Sequence, residues 1–142
     1  MKSFVLLLCA GLIAGCANCP QYQCRSQVNF MLDSDDLAIF AEGDTGVRVC
    51  VDGSCVDFTL VTGSVSATTP SAEARLTFDA AVAKLSFFTL TFREERAREV
   101  KLTLTRDAVE RSTHAWPAVA FKFVDDQSLA CSQNCVGATV TE

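Results

Sequence analysis

The sequence predicts an all-β chain, an antiparallel β-sandwich of about seven to nine strands. Three observations point there. Short runs of β-branched and aromatic residues recur along the chain with period-two alternation. Gly, Asp and Pro stand between these runs as turn signals. One stretch, G-V-R-V-C-V-D-G-S-C-V-D-F at residues 46 to 58, alternates on both sides of Asp52-Gly53. That dipeptide favours a two-residue type I′ hairpin.

The elements follow in order. Val28 to Leu32 is the first predicted strand and Leu37 to Ala41 the second, with the hairpin filling residues 46 to 62. Residues 71 to 85 are rich in Ala, and Ser71 is a candidate helix cap. The reading taken is strand for Ala74 to Asp79, with 80 to 84 left open. Phe88 to Phe92, Val100 to Thr105, Val119 to Phe123 and Val136 to Thr141 complete the set. The run Arg93-Glu94-Glu95-Arg96-Ala97-Arg98-Glu99 carries both signs of charge and reads as a solvated connection.

Pairing about Asp52-Gly53 sets Val51 opposite Ser54, Cys50 opposite Cys55, Val49 opposite Val56, Arg48 opposite Asp57 and Val47 opposite Phe58. The apolar residues then share one face, and Arg48 meets Asp57 on the other as an opposite-charge pair. Cys50 and Cys55 fall on the non-hydrogen-bonded rung, where the α-carbons approach within reach of a disulfide. A one-residue slip would turn Arg48 and Asp57 into the core.

The 142 residues make one domain large enough to bury a core. A formal charge of −5 argues against a nucleic-acid partner, which needs a basic face. Eight cysteines direct attention to the redox compartment. Lys2 followed by the apolar run Phe4 to Ile13 has the pattern of an export signal and is too short to span a bilayer.

That run closes with Leu12-Ile13-Ala14-Gly15-Cys16, which resembles the lipobox of exported bacterial lipoproteins. The resemblance implies cleavage before Cys16 and acylation of its thiol. The alternative is an ordinary signal cut after Ala17. Under the first reading residues 1–15 are a lipoprotein signal peptide, 16–25 a lipid-anchored segment with a cysteine pair, and 26–142 the sandwich. Both routes leave Cys19, Cys24, Cys50, Cys55, Cys131 and Cys135, an even set suited to disulfides. By analogy with Cys50–Cys55, the close spacing favours local bridges Cys19–Cys24 and Cys131–Cys135. A cross-link between the N-terminal and C-terminal pairs is the alternative. Zinc is not expected: the spacings are not those of paired knuckles, and an exported chain is oxidised.

V-C-V-D-G-S-C at residues 49 to 55 and C-S-Q-N-C-V-G-A-T-V at 131 to 140 widen the resemblance to a group of uncharacterised small bacterial cell-envelope lipoproteins. It implies an immunoglobulin- or fibronectin-like sandwich stapled by disulfides, and it brings no active-site residues. Ala17, being other than Asp, implies sorting to the outer membrane in a cell with two membranes.

Chemistry is sparse. His114 is the single histidine, with no nucleophile elbow to serve it, and reads as a loop or strand-edge residue. Asp33-Ser34-Asp35-Asp36 begins like a calcium loop, but Leu37 and Ala38 stand where a ligand and the turn Gly belong. A solvated acidic loop is the favoured reading. Trp116, before Pro117, is a candidate anchor for a protein or glycan or else packs at the core edge. The expected function is a lipid-anchored envelope binding or structural module, with the membrane as partner and neither cofactor nor enzymatic activity. The alternative is a small envelope enzyme or protease inhibitor working through a loop. A polar pocket at His114 with a carboxylate and a hydroxyl would favour an enzyme, and an exposed aromatic surface at Trp116 would favour binding.

Overall fold

The computed structural model describes residues 24–67, 73–124 and 135–141. Among the described residues ten strands form two packed sheets, accompanied by one short α-helix, so the chain is an all-β sandwich. In chain order the strands are β1 (Ser26–Met31), β2 (Thr45–Val51), β3 (Ser54–Leu60), β4 (Ser66–Ala67), β5 (Ala74–Asp79), β6 (Lys84–Thr89), β7 (Ala97–Arg106), β8 (Val109–Ala120), β9 (Lys122–Phe123) and β10 (Val136–Val140). Helix α1 (Ser34–Glu42) lies between β1 and β2. One sheet has the order β4-β5-β6-β1-β10-β9 and the other β3-β2-β7-β8.

The hairpin forms as its residues dictate. Each rung from Val47↔Phe58 to Val51↔Ser54 is paired as expected, with Asp52 at φ 49° and Gly53 at φ 82° in the turn. Those left-handed values are what a type I′ turn demands. Val47, Val49 and Phe58 are buried, and the Arg48 Nε–H donates to Asp57 Oδ1 at 2.7 Å on the outer face. Opposite them lie Val28 and Phe30 of β1 and Leu85 and Phe87 of β6, all buried. The edge-on ring pair Phe58–Phe87, 5.9 Å between centroids, joins the two sheets.

Three elements differ from expectation, one of them β6, which spans Lys84–Thr89 where Phe88 to Phe92 was expected, so that 90 to 92 lie beyond its end. Leu37 to Ala41 is helical, because Asp33 caps the segment: its carboxylate accepts from the Asp35 and Asp36 amides at 2.9 and 2.8 Å. Asp36 and Phe40, one turn apart, form the buried face, and the helix stops at Gly43. The acidic run is therefore a cap, with Asp35 and Asp36 in the first turn favoured by the helix dipole. The third difference is β8, which begins ten residues before the expected Val119. By contrast, β5 spans the Ala74–Asp79 predicted for it, and one turn of 3₁₀ helix (Ala80–Val82) follows.

The central strand β1 pairs antiparallel with β6 and parallel with β10. That parallel pair brings the ends of the domain together and overturns the local cysteine scheme. Cys24 is bridged to Cys135, and Cys50 to Cys55 as expected. The bridge belongs to the N-to-C class of cross-link, which adjacent cysteine spacing cannot reveal because the partners meet only when β1 and β10 pair. Cys16, Cys19 and Cys131 lie outside the described residues, so their roles stay as read from the sequence. Both bridges are those of an oxidising compartment outside the cytosol. Among the described residues, no helix is long and apolar enough to cross a membrane.

The sandwich has two distinct ends. At the proximal one, the Ser26 hydroxyl donates to the Phe92 carbonyl at 2.5 Å and accepts from the Val136 amide at 3.1 Å. The Asp52 turn adjoins it through the Asp52 amide, which donates to the Glu99 carbonyl at 2.9 Å. The distal end holds α1, the Asp107–Ala108 turn and the 3₁₀ turn, where the Leu32 amide donates to the Ala83 carbonyl at 2.8 Å.

Candidate functional site

The residues with the most chemistry meet where α1 covers the edge strand β8. Two irregularities aim β8. Its register with β7 shifts between Leu104↔Ser112 and Thr105↔Glu110, leaving Arg111 extra. It shifts again between Val100↔Trp116 and Arg98↔Val119, where Pro117 sits on an edge strand that asks nothing of its missing amide. Between these bulges Ser112, His114 and Trp116 stand opposite the fully buried Leu104, Leu102 and Val100 and share their inward face.

Asp36 projects from α1 onto this face. Its carboxylate is almost wholly buried, with Oδ2 2.9 Å from His114 Nε2. Ser112 Oγ lies 2.7 Å from the same nitrogen. The carboxylate and the hydroxyl therefore meet the same ring nitrogen. A catalytic triad instead has the carboxylate on one ring nitrogen and the hydroxyl donating to the other. The trio joins helix to sheet.

Arg106 strengthens that joint, donating to the Glu42 carboxylate and to the Ile39 carbonyl in the last turn of α1. Beside these groups is an open groove of about 410 Å³, whose lining includes Asp33, Asp35, Glu42, Arg111 and His114. A second, apolar recess of about 120 Å³ lies across α1, floored by the stacked rings of Phe40 and Phe78.

Trp116 packs at the core edge. Its ring lies 5.7 Å from Phe30 and 5.8 Å from His114, and its Nε1–H donates to the Thr141 carbonyl at 3.1 Å. The structure thus brings His114 and Trp116 together, and it adds Ser112, which the sequence did not single out, and Asp36, which the sequence offered only as part of a calcium-like loop. Asp36 was hidden in an acidic run, and Ser112 in a stretch with no strand-like alternation.

At the proximal end the charged run 93–99 is only partly a solvated connection, since Ala97–Glu99 opens β7 and Arg98 is buried. Its guanidinium stacks over Phe92, 4.7 Å from the centroid, and Nη1 donates to Asp52 Oδ2 at 2.9 Å. Arg96 donates to the same carboxylate oxygen at 2.8 Å.

Among the described residues no three His, Cys, Asp or Glu side chains are grouped to hold a metal. Compared with models of protein families, with curated proteins and with solved structures, the chain matches none.

Proposed function

We propose that the chain is an exported, lipid-anchored β-sandwich of the cell envelope that serves as a binding or structural module, with Cys16 as its anchor. The observation that carries the non-enzymatic part is the shared Nε2 of His114. The groups that come closest to a catalytic set are wired as a joint, with the carboxylate and the hydroxyl on the same ring nitrogen. The anchor rests on Leu12-Ile13-Ala14-Gly15-Cys16 and agrees with the oxidising compartment that the bridges require. Under this reading the domain is tethered at its proximal end, because Cys24 follows Cys16 closely, and the grooves flanking α1 face away from the membrane. Those grooves are where an envelope protein or glycan would be received. Outer-membrane sorting follows from Ala17 in a cell with two membranes.

The test of the anchor is the intact mass of the mature protein, with and without Cys16→Ala. A diacylglyceryl and acyl increment on the wild type, absent from the variant, is the expected result. An unmodified wild-type chain beginning at Asn18 would sink it.

The enzymatic reading keeps one favourable observation: a carboxylate, a histidine and a hydroxyl do line one groove. Covalent labelling of Ser112 by a fluorophosphonate probe would support that reading.

A further inference from the structure

We propose that the proximal end of the sandwich lies directly on the lipid surface, with Phe123 and Val124 entering its interfacial region and Lys122 beside them. The proposal rests on the reading of Cys16 as a lipidated anchor and says how the folded domain then sits.

The edge strand β9 ends in an exposed apolar pair: Phe123 is 49% and Val124 44% accessible. Both adjoin the point where the tether enters the fold. The Val124 amide donates to the Cys135 carbonyl at 2.9 Å, and Cys135 is bridged to Cys24. Arg93 at the same end donates to the Cys24 carbonyl at 3.5 Å. Cys24 follows Cys16 by eight positions, a span of at most roughly 29 Å when extended. A lipidated Cys16 therefore holds this end within that distance of the headgroups, whichever way the domain turns.

Orientation is then set by what each end offers the surface. The proximal end offers an aromatic ring, an aliphatic neighbour and a lysine, the side chains that partition into an interface. There Arg25, Arg93 and Arg96 offset Glu94, Glu95 and Glu99, and Glu95 accepts from the Phe123 amide at 2.8 Å. At the distal end Asp33, Asp35, Asp44, Asp79, Asp107 and Glu110 stand against Lys84, Arg106 and Arg111, of which Arg106 is engaged by Glu42. Anionic lipid repels that end. Of the exposed valines around the distal turns, 61 and 65 line the apolar recess beside Phe40 and Phe78, while 82 and 109 stand near the carboxylates Asp79 and Asp107.

The test uses the full lipidated chain in vesicles of phosphatidylethanolamine and phosphatidylglycerol whose acyl chains are brominated near the headgroup. Phe123→Trp and Val109→Trp are compared, each with native Trp116 and in a Trp116→Phe background. The tryptophan at 123 should lose at least twofold of its emission to the brominated lipid, and that at 109 essentially none. A chain that carries the lipid mass and floats with the vesicles but loses emission equally at both positions overturns the proposal alone. A chain without the lipid mass that fails to float removes the anchor reading and this proposal with it. If cross-linking instead traps Phe123 against a second copy, the patch is a dimer contact and the proposal is overturned.

Discussion

The Asp52 carboxylate holds the buried Arg98 guanidinium at 2.9 Å from a turn whose own backbone is left-handed. One residue therefore does two things. It accepts φ 49° at the hairpin tip, and it neutralises a cation that β7 turns into the core between Phe92 and Phe121. Asp52→Asn separates them, since Asn tolerates the same backbone but carries no charge. The loss should be about 2 kcal/mol, below the value for a fully buried pair because Asp52 is about a third exposed. In an Arg98→Met background the same change should cost less than about 0.5 kcal/mol by urea denaturation. Equal costs in the two backgrounds would show that the turn, and not the pair, was lost.

Asp33 starts α1, and its removal tests whether the acidic run is a cap or a metal loop. Asp33→Ala should lower stability by about 1 kcal/mol, and Asp33→Asn by a few tenths. Millimolar calcium should leave the wild-type melting temperature unchanged. A rise that Asp33→Ala abolishes would return the segment to the metal-loop reading.

What was legible in the sequence was whatever depends on neighbours in the chain. The hairpin register follows from Asp52-Gly53 and the alternation beside it. The strand at Ala74–Asp79 ends at a residue that caps the next turn: the Asp79 carboxylate accepts from the Ala81 amide at 3.0 Å. What was hidden depends on distant partners. β8 reads poorly because its inward residues, Ser112 and His114, are polar. They can face inward only because α1 supplies Asp36 above them. Leu37 to Ala41 resembles a strand in composition, and the overlooked local signal was the cap at Asp33. The site was hidden for the same reason as β8, since neither Asp36 nor Ser112 has meaning without the other element.

The bridge between Cys24 and Cys135 closes a long loop, its partners 111 positions apart, against five for Cys50 and Cys55. On chain entropy the first should stabilise by about 4–5 kcal/mol and the second by about 2 kcal/mol. Paired Cys→Ser variants measured in denaturant should keep that order. Trypsin without reduction distinguishes the schemes directly, because cleavage after Arg25 and Lys122 frees both terminal peptides. They should remain linked until reductant is added. Separate release would restore local pairing, and a chymotryptic cut after Tyr22 reads the partner of Cys24 on its own.

Arg48 and Asp57 give a pH dependence of known sign. The hydrogen bond from Arg48 holds the Asp57 carboxyl below its ordinary 3.8, with burial opposing weakly. A depressed carboxyl adds stability that is complete above its unfolded value and is lost as pH falls through the folded one. The loss therefore belongs below pH 3.8. Both side chains are mostly exposed, so the effect should be small and should shrink with added salt. Asp57→Asn should remove this part of the acid slope while leaving stability at neutral pH nearly unchanged. A slope unaltered by Asp57→Asn would assign the acid sensitivity to other carboxylates.

The joint between His114 and Asp36 makes the strongest demand, because it separates a strut from a catalytic base. His114→Leu leaves a buried carboxylate without its ring partner and should cost about 3 kcal/mol. Replacing both residues by Leu should recover most of that loss, since an apolar pair at a covered sheet edge needs no partner. His114→Gln, whose amide can still donate to Asp36, should fall in between. Ser112→Ala should be nearly neutral, because the contact between Asp36 and His114 survives it. Catalysis would produce the opposite pattern. The double Leu variant would stay stable yet lose reactivity toward a fluorophosphonate probe, and Ser112→Ala would lose it as completely. A wild-type chain that never labels, with stability restored in the double variant, identifies the trio as the device that fastens α1 over the edge of the sheet.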